Sequence, residues 1–381
     1  MDLLSLLSLL TPVPPAARQH ATDGSLGEHI RLFGSNAGTD LPEGTAVALV
    51  GIPEDRFTGR GGESRAPAGV RKALYELSNP FGDRVVTDLG DLKPGHTLND
   101  TYCAVDMLVS YLRDRDIVTV LIGGSYDVTY GALLPAVRHE RFLHWTSIHP
   151  HVFPEDYRYA DKISPLSRIL WTPCQELEYT QVGGQKYLAS ATQWAHVEQY
   201  YDVLRLGVVR EDLEMVEPYL RDSHVVSLSM TAVRYADAPE TSWLSPNGFM
   251  AEEVCRLAFF AGTSPTCGVF SVGDMRPKGR RTLNVTACVA AQCIWHFLSG
   301  LSLRVREHPS ESAANFQKYI VSLDQSGQTL HFLKSTLTGR WWMLLPGEEG
   351  RPPAVTACSQ SDYERACNNE MPSRWCKLIR R

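Results

Sequence analysis

Three short segments bring hydroxyl, imidazole and carboxyl side chains together at spacings that could do chemistry. They are Gly123-Gly124-Ser125-Tyr126-Asp127, Ser147-Ile148-His149-Pro150-His151 and Ser227-Leu228-Ser229-Met230-Thr231. Each closes an apolar run, so each reads as the tip of a strand. Residues two apart on a strand share a face, so His149 and His151 point the same way; with Asp127 they could hold a single zinc ion. That set is incomplete, and Pro150 twists the strand between the two rings. The histidines are therefore expected to line a wet cleft as polar side chains, and Asp127 to brace the turn from Gly124 to Gly131. Ser147, Ser229 and Thr231 are neutral and can only exchange hydrogen bonds.

Other chemistries lack their motif. Gly59-Arg60-Gly61-Gly62-Glu63-Ser64 is rich in glycine, yet it has no GxxxxGK[ST] pattern and no helix directly after it, so it reads as a turn. No G-x-S-x-G elbow and no convincing Ser/His/Asp set occurs, and no catalytic residue is assigned. Trp341, Trp342 and Trp375 are expected to pack against the main sheet.

The elements that must position these tips follow from apolar runs. Residues 46–51, 85–91, 117–122, 142–148, 178–182, 203–209, 225–230 and 268–272 read as strands. Helical patterns fall between them: from about 70, from Asp100 to about Arg113, and over 211–221, 251–261 and 282–301. Strands alternating with helices, mostly apolar throughout, imply a parallel sheet covered on both faces, with functional groups at the carboxyl ends of its strands. After residue 318 the pattern changes to a hairpin with its turn at 324–327, a strand over 340–345, and a helix opened by a Ser361/Glu364 capping box. The expected division is an N-terminal extension over 1–44, a main domain over 45–310, and a small α+β extension over 318–381 packed on it.

Composition bounds the partners. The chain has 381 residues, net charge −6, 43% apolar and 21% charged residues, which suits a globule with a sizeable core. The acidic balance argues against a nucleic-acid groove or an anionic membrane as main partner. Nine cysteines without CxxC spacing suit free thiols in a reducing compartment, hence a cytoplasmic location; Cys288 and Cys293 read as core. Leucines at 3, 4, 7 and 10 form one stripe of a short helix that would dock on the body or on a neighbouring subunit. No run is read as long enough to span a membrane.

Several segments taken in order resemble the arginase, agmatinase and formiminoglutamase family of ureohydrolases. They are Gly51-Ile52-Pro53-Glu54-Asp55, Gly59-Arg60-Gly61-Gly62, Ala66-Pro67-Ala68-Gly69-Val70-Arg71, Asp88-Leu89-Gly90-Asp91, Leu121-Ile122-Gly123-Gly124 and Ser245-Pro246-Asn247-Gly248-Phe249. The likeness covers residues 45–305 and is nearest in pattern to the formiminoglutamase-like branch. It implies a three-layer α/β/α arginase-like fold with a parallel sheet, and hydrolysis of linear C–N bonds in guanidino or formimino compounds. It also implies a hydroxide-bridged manganese pair held by four aspartates and two histidines at strand ends, with relatives commonly trimers or hexamers.

Position by position, that ligand set is nearly gone. The family's Gly-Gly-Asp-His reads Gly123-Gly124-Ser125-Tyr126, which puts Tyr126 where the ligand histidine stands. Asp-Ala-His-x-Asp reads Ser147-Ile148-His149-Pro150-His151, retaining only His149. Asp-x-Asp reads Ser229-Met230-Thr231, and a glutamate near the substrate falls at Ser271 or within a few residues of it. Hard cations need anionic oxygen donors, and clustered carboxylates need cations. Together the changes imply a family member without the metal pair and with no cofactor, binding an unknown protein or small-molecule ligand near the old cleft. The alternatives are a hydrolase with an altered manganese or zinc set, and a structural subunit of a homo-oligomer.

Overall fold

Runs such as Thr45–Gly51 and Val118–Ile122 are apolar on both faces, and a strand of that kind is stable only inside a sheet covered on both sides. The computed structural model describes residues 8–34, 41–59, 61–140, 142–152, 158–159, 162–172, 176–278, 284–307, 309–310, 314–323, 328–345, 354–372 and 374–375. Its main sheet holds β1 (Leu10–Thr11), β2 (Arg31–Leu32), β3 (Thr45–Gly51), β4 (Val85–Leu92), β5 (Val118–Ile122), β6 (Phe142–Ile148), β9 (Glu176–Gly184), β10 (Asp202–Arg205), β11 (Val225–Ser229) and β12 (Val269–Gly273). A separate two-residue ladder supplies β7 (Arg158–Tyr159) and β8 (Lys162–Ile163). The spatial order is β1-β4-β3-β5-β12-β11-β6-β9-β10, with β2 also on β4. Every pairing in this sheet is parallel except β1 with β4.

Two cores sandwich the sheet, which makes the three α/β/α layers. On one face Leu49, Val120, Val226 and Phe270 pack against helices Ala66–Tyr75, Ala251–Thr263 and Val285–Ser302. Phe270 and Phe297 stack at 4.5 Å, and burying one such ring contributes roughly 1.5–3 kcal/mol. On the other face Val50, Leu121 and Trp145 pack against helices Leu98–Arg113 and Thr129–His139. Val285–Ser302 is long and apolar enough to cross a membrane, contrary to the sequence expectation, but 61% of it is buried among core residues. The Asp88-Leu89-Gly90-Asp91 segment is explained by Arg71, which is buried. Arg71 Nε and Nη2 donate to Asp88 at 2.7 and 3.0 Å, and its Nη1 donates to Asp91 at 2.5 Å. This ties the first long helix to β4.

The extension over 316–375 carries an antiparallel sheet, β13 (Phe316–Ser322), β14 (Thr329–Ser335), β15 (Trp341–Leu345) and β16 (Ala354–Cys358), then helix Gln360–Cys367. It docks through Arg221, whose two terminal nitrogens donate to the carbonyls of Trp341 (3.0 Å) and Cys358 (3.1 Å). The same guanidinium lies 4.5 Å over the Trp342 ring. Trp341, Trp342 and Trp375 are all buried, and Cys293 is in the core while Cys288 is half-buried.

Several boundaries differ from the sequence reading. Leu10 belongs to β1, not to a helix, because Lys93 N–H and the β4 edge bind that segment as a strand; residues 1–7 lie outside the described residues, as do 324–327. The helix expected from Asp100 starts at Leu98, and Thr97 is its cap. Its hydroxyl accepts from Asp100 N–H (3.2 Å) while Asp100 accepts from Thr97 N–H (2.8 Å). The last helix is boxed by Ser359 and Asp362 in place of Ser361 and Glu364. β10 ends at Arg205 and turns at once into helix Leu206–Glu211, and the helix expected over 211–221 is a 3₁₀ turn followed by Glu217–Asp222. β16 had no counterpart in the sequence reading.

Candidate functional site

β5, β12, β11 and β6 are neighbours, so their carboxyl ends open onto one place. Register puts Ser147 beside Ser227 and Ser229 beside Gly273. Gly123 and Gly124 follow β5 with φ of 91° and 71°; a side chain at Gly123 would strike Pro67 at 2.8 Å, so only glycine lets the chain turn here. The turn delivers Gly124 O to the backbone N–H of Asp274, at 2.8 Å.

Asp274 is the hub. It sits just past β12 with φ of 62°, a left-handed conformation that aspartate adopts more readily than most residues. Its Oδ1 accepts from Tyr126 N–H at 3.0 Å and its Oδ2 from Ser229 Oγ at 2.5 Å. Ser229 Oγ is also 2.5 Å from Thr231 Oγ1 and accepts from Thr231 N–H at 3.2 Å. Ser147 Oγ donates to Tyr126 Oη at 3.3 Å. The Tyr126 ring lies 4.7 Å from His149, and the His149 ring 5.5 Å from His151. The structure thus brings Tyr126, Ser147, His149, His151, Ser229 and Thr231 together.

Asp127 is turned elsewhere. Its carboxylate accepts from Ser125 Oγ (2.6 Å) and Tyr102 Oη (2.5 Å), bracing the turn after Gly124. It is fully buried, and burial pushes its pKa up to about 7. Asp274 is pushed up to about 6, chiefly by burial, against the Ser229 hydrogen bond that favours its charged form. His149 is held well below the usual histidine range by burial and by its neighbour His151, which burial takes down to about 4. His149 is therefore neutral. Its Nδ1 lies 3.0 Å from His151 N and 3.2 Å from His151 O, and its Nε2 lies 4.0 Å from Asp274 Oδ2.

These groups floor a cavity of about 420 Å³ whose walls include Phe57, Tyr126, His151, Tyr187 and Trp243, with Asp274 and Thr231 at its base. The cavity has aromatic side chains in its walls, one buried carboxyl, Asp274, and two neutral imidazoles, His149 and His151. Its donors do not fit a pair of divalent manganese ions: hydroxyls stand where anionic oxygens are needed, and Ser229 and Thr231 bond to each other and to Asp274. Among the described residues no group of three His, Cys, Asp or Glu side chains could hold a metal ion. The zinc candidates His149, His151 and Asp127 do not form one set, since both Asp127 oxygens accept from other hydroxyls.

Three residues escaped the sequence reading. Ser271 lies within β12, and it is Asp274, three residues on, that reaches the cavity; its signal was a Gly-Asp pair directly after an apolar strand. Gln181 donates to the carbonyls of His149 and His151 (3.0 Å for the latter), and Tyr102 reaches Asp127 from another helix; neither had a local signal.

The sequence matches the arginase family model over residues 45–300. It is 21% identical over 279 residues to a formimidoylglutamase of Lysinibacillus sphaericus, covering 68% of this chain and 86% of that protein. Among solved structures it resembles Trypanosoma cruzi formiminoglutamase with Mn2+ (TM-score 0.62, 19% identity, 68% of this chain and 95% of that one). It also resembles the agmatine ureohydrolase of Thermoplasma volcanium (TM-score 0.58, 17% identity, 75% and 97%). At such identities the structural likeness establishes the fold.

Proposed function

The chain belongs to the arginase family, and from that premise we propose that it is a ureohydrolase-family pseudoenzyme that lacks the binuclear manganese site and acts by binding a small ligand in the cavity. One observation carries this reading: Ser229 and Thr231, at the strand tip where the family places two aspartates, bond to each other, and Ser229 links them to Asp274, whose other oxygen accepts from Tyr126 N–H. Carboxylates at those two positions, with Asp274, would repel one another and cost several kcal/mol without cations. Hydroxyls remove the repulsion. The aromatic walls and the partly ionised Asp274 suit an organic ligand bearing N–H donors.

A second reading keeps the chemistry. His149 Nε2 faces Asp274 Oδ2 at 4.0 Å on the cavity floor, and an imidazole beside a carboxyl could support hydrolysis of guanidino or formimino bonds with an altered manganese or zinc set. Elemental analysis of the purified chain, joined to assays for urea, ammonia and formamide release from guanidino and formimino compounds, separates the two. Substoichiometric metal with no product supports the binding reading. About two equivalents of manganese with turnover overturns it.

A further inference from the structure

The floor of the cavity carries negative charge that its lining does not balance. Among the described lining residues Asp274 is the one acidic group, and neither lysine nor arginine joins it. His149 and His151 are held neutral by burial. Arg65, Arg276 and Lys278 line a neighbouring concavity, which shares Ser242 and Trp243 with the cavity. Asp274 receives two neutral donors, Tyr126 N–H at 3.0 Å and the Ser229 hydroxyl at 2.5 Å, which fix it without supplying a countercharge. A carboxylate has about four lone-pair sites, so acceptor capacity remains. Glu63 adds to the field. It is fully buried, its Oε1 accepts from the Thr58 hydroxyl at 2.8 Å, and its Oε2 has no hydrogen-bond partner among the described residues. Thr58 itself lines the cavity, and the charge of Glu63 reaches Asp274, whose pKa it helps to raise. Two carboxyls in such a setting carry a free-energy cost that a cationic ligand offsets.

The walls offer ring faces. Tyr187 and Trp243 both line the cavity and are 64% and 42% exposed. The Trp243 ring stands at 86° to that of His151, 4.9 Å away, and the Trp243 carbonyl accepts from the Thr241 hydroxyl at 2.7 Å. The Tyr187 hydroxyl donates to the Gln185 side chain. Phe57 and Tyr126 complete the aromatic lining. Rings held in place around a carboxyl suit a cation that turns methyl groups to the π faces and has few N–H groups to satisfy. A guanidinium, with five N–H donors, needs more acceptors than one carboxylate with two sites taken supplies.

We infer that the cavity binds a methylated ammonium group, secondary or tertiary, on an aliphatic ligand: its N–H donates to Asp274 and its methyl groups lie against Trp243 and Tyr187. The inference rests on the reading of the cavity as a ligand site and names the class of ligand. The charge-assisted bond to the carboxylate fixes the nitrogen, and the rings reward the methyl groups that an unmethylated amine lacks.

The test is calorimetric titration of the full chain, at pH 7.5 and fixed ionic strength, with N,N-dimethylbutylammonium, butylammonium, butylguanidinium and the uncharged N,N-dimethylbutanamide. The dimethylated cation should bind about tenfold or more tightly than the amide, and about threefold or more tightly than either other cation. Asp274→Asn should bring the dimethylated cation down to the affinity of the amide. Trp243→Leu combined with Tyr187→Leu, both at exposed ring positions that leave the fold intact, should erase its advantage over butylammonium. Tighter binding of butylguanidinium or butylammonium by the parent chain would overturn the inference, as would an advantage of the dimethylated cation that survives loss of both rings. Amide and dimethylated cation bound equally would also overturn it while leaving the cavity a ligand site. Failure of all the compounds to bind counts against both readings.

Discussion

The Ser229 hydroxyl donates to Asp274 Oδ2 across 2.5 Å, so a neutral side chain on β11 stabilises the buried carboxyl at the end of β12. Ser229→Ala removes that donor and leaves the carboxylate with Tyr126 N–H as its remaining donor among those described above. The variant should lose about 1–3 kcal/mol at pH 7.5, where Asp274 is ionised, and less at pH 5, where it is largely protonated. Urea denaturation at the two pH values checks this; equal losses would contradict the assignment.

Restoring the anionic set gives a second expectation. Tyr126→His, Ser147→Asp, His151→Asp, Ser229→Asp and Thr231→Asp, combined, crowd carboxylates around Asp274. The metal-free variant should melt well below the parent, and manganese should raise its melting temperature in a concentration-dependent way that the parent does not show. A melt indifferent to manganese would mean that these positions do not converge as a ligand set.

The pH dependence of stability has two opposing arms. Asp127 and Asp274 are raised in the fold to about 7 and about 6, so their stabilising contribution is complete below pH 4 and is lost as pH climbs through those values. His149 and His151 are depressed, so theirs is present above about pH 6.5 and is lost on acidification. Asp127→Asn should remove the Asp127 share of the first arm and leave that of Asp274. Relative to this variant the parent should weaken by roughly a few kcal/mol between pH 4 and pH 7.5, as measured by denaturant midpoints across that range.

Arg71 offers a test of the scaffold. It is buried between Asp88 and Asp91, and Tyr75 Oη also donates to Asp88, at 2.7 Å. Arg71→Met leaves Asp88 buried without its cation and should cost roughly 3–5 kcal/mol. The double variant Arg71→Met, Asp88→Leu should recover part of that loss. Chemical denaturation of the three proteins decides it.

The parallel sheet was legible because its strands are short, uniformly apolar and closed by glycine or small polar residues, as in β5 with Gly123-Gly124 and β11 with Ser229. The Ser361/Glu364 capping box was displaced by two residues and the helix start read at Asp100 lies at Leu98, since several hydroxyl and acidic residues in one stretch satisfy the same pattern and only the backbone turn selects Thr97 or Ser359. At the site, the residues on the strand tips could be named from their resemblance to the family's motifs. Asp274 could not, because a carboxyl just after a strand gains its role from Ser229, 45 residues away, and from Tyr126, 148 residues away. Its raised pKa comes from burial, which spacing does not encode.

Gln181 grips the main chain at both His149 and His151 from β9, and its own carbonyl accepts from the Tyr179 hydroxyl. The route of the chain over this corner is thus secured by an amide reaching past the two imidazoles to the peptide oxygens behind them. Exchange of either ring would alter the chemistry of the chamber's lining while this amide still holds the path of the polypeptide.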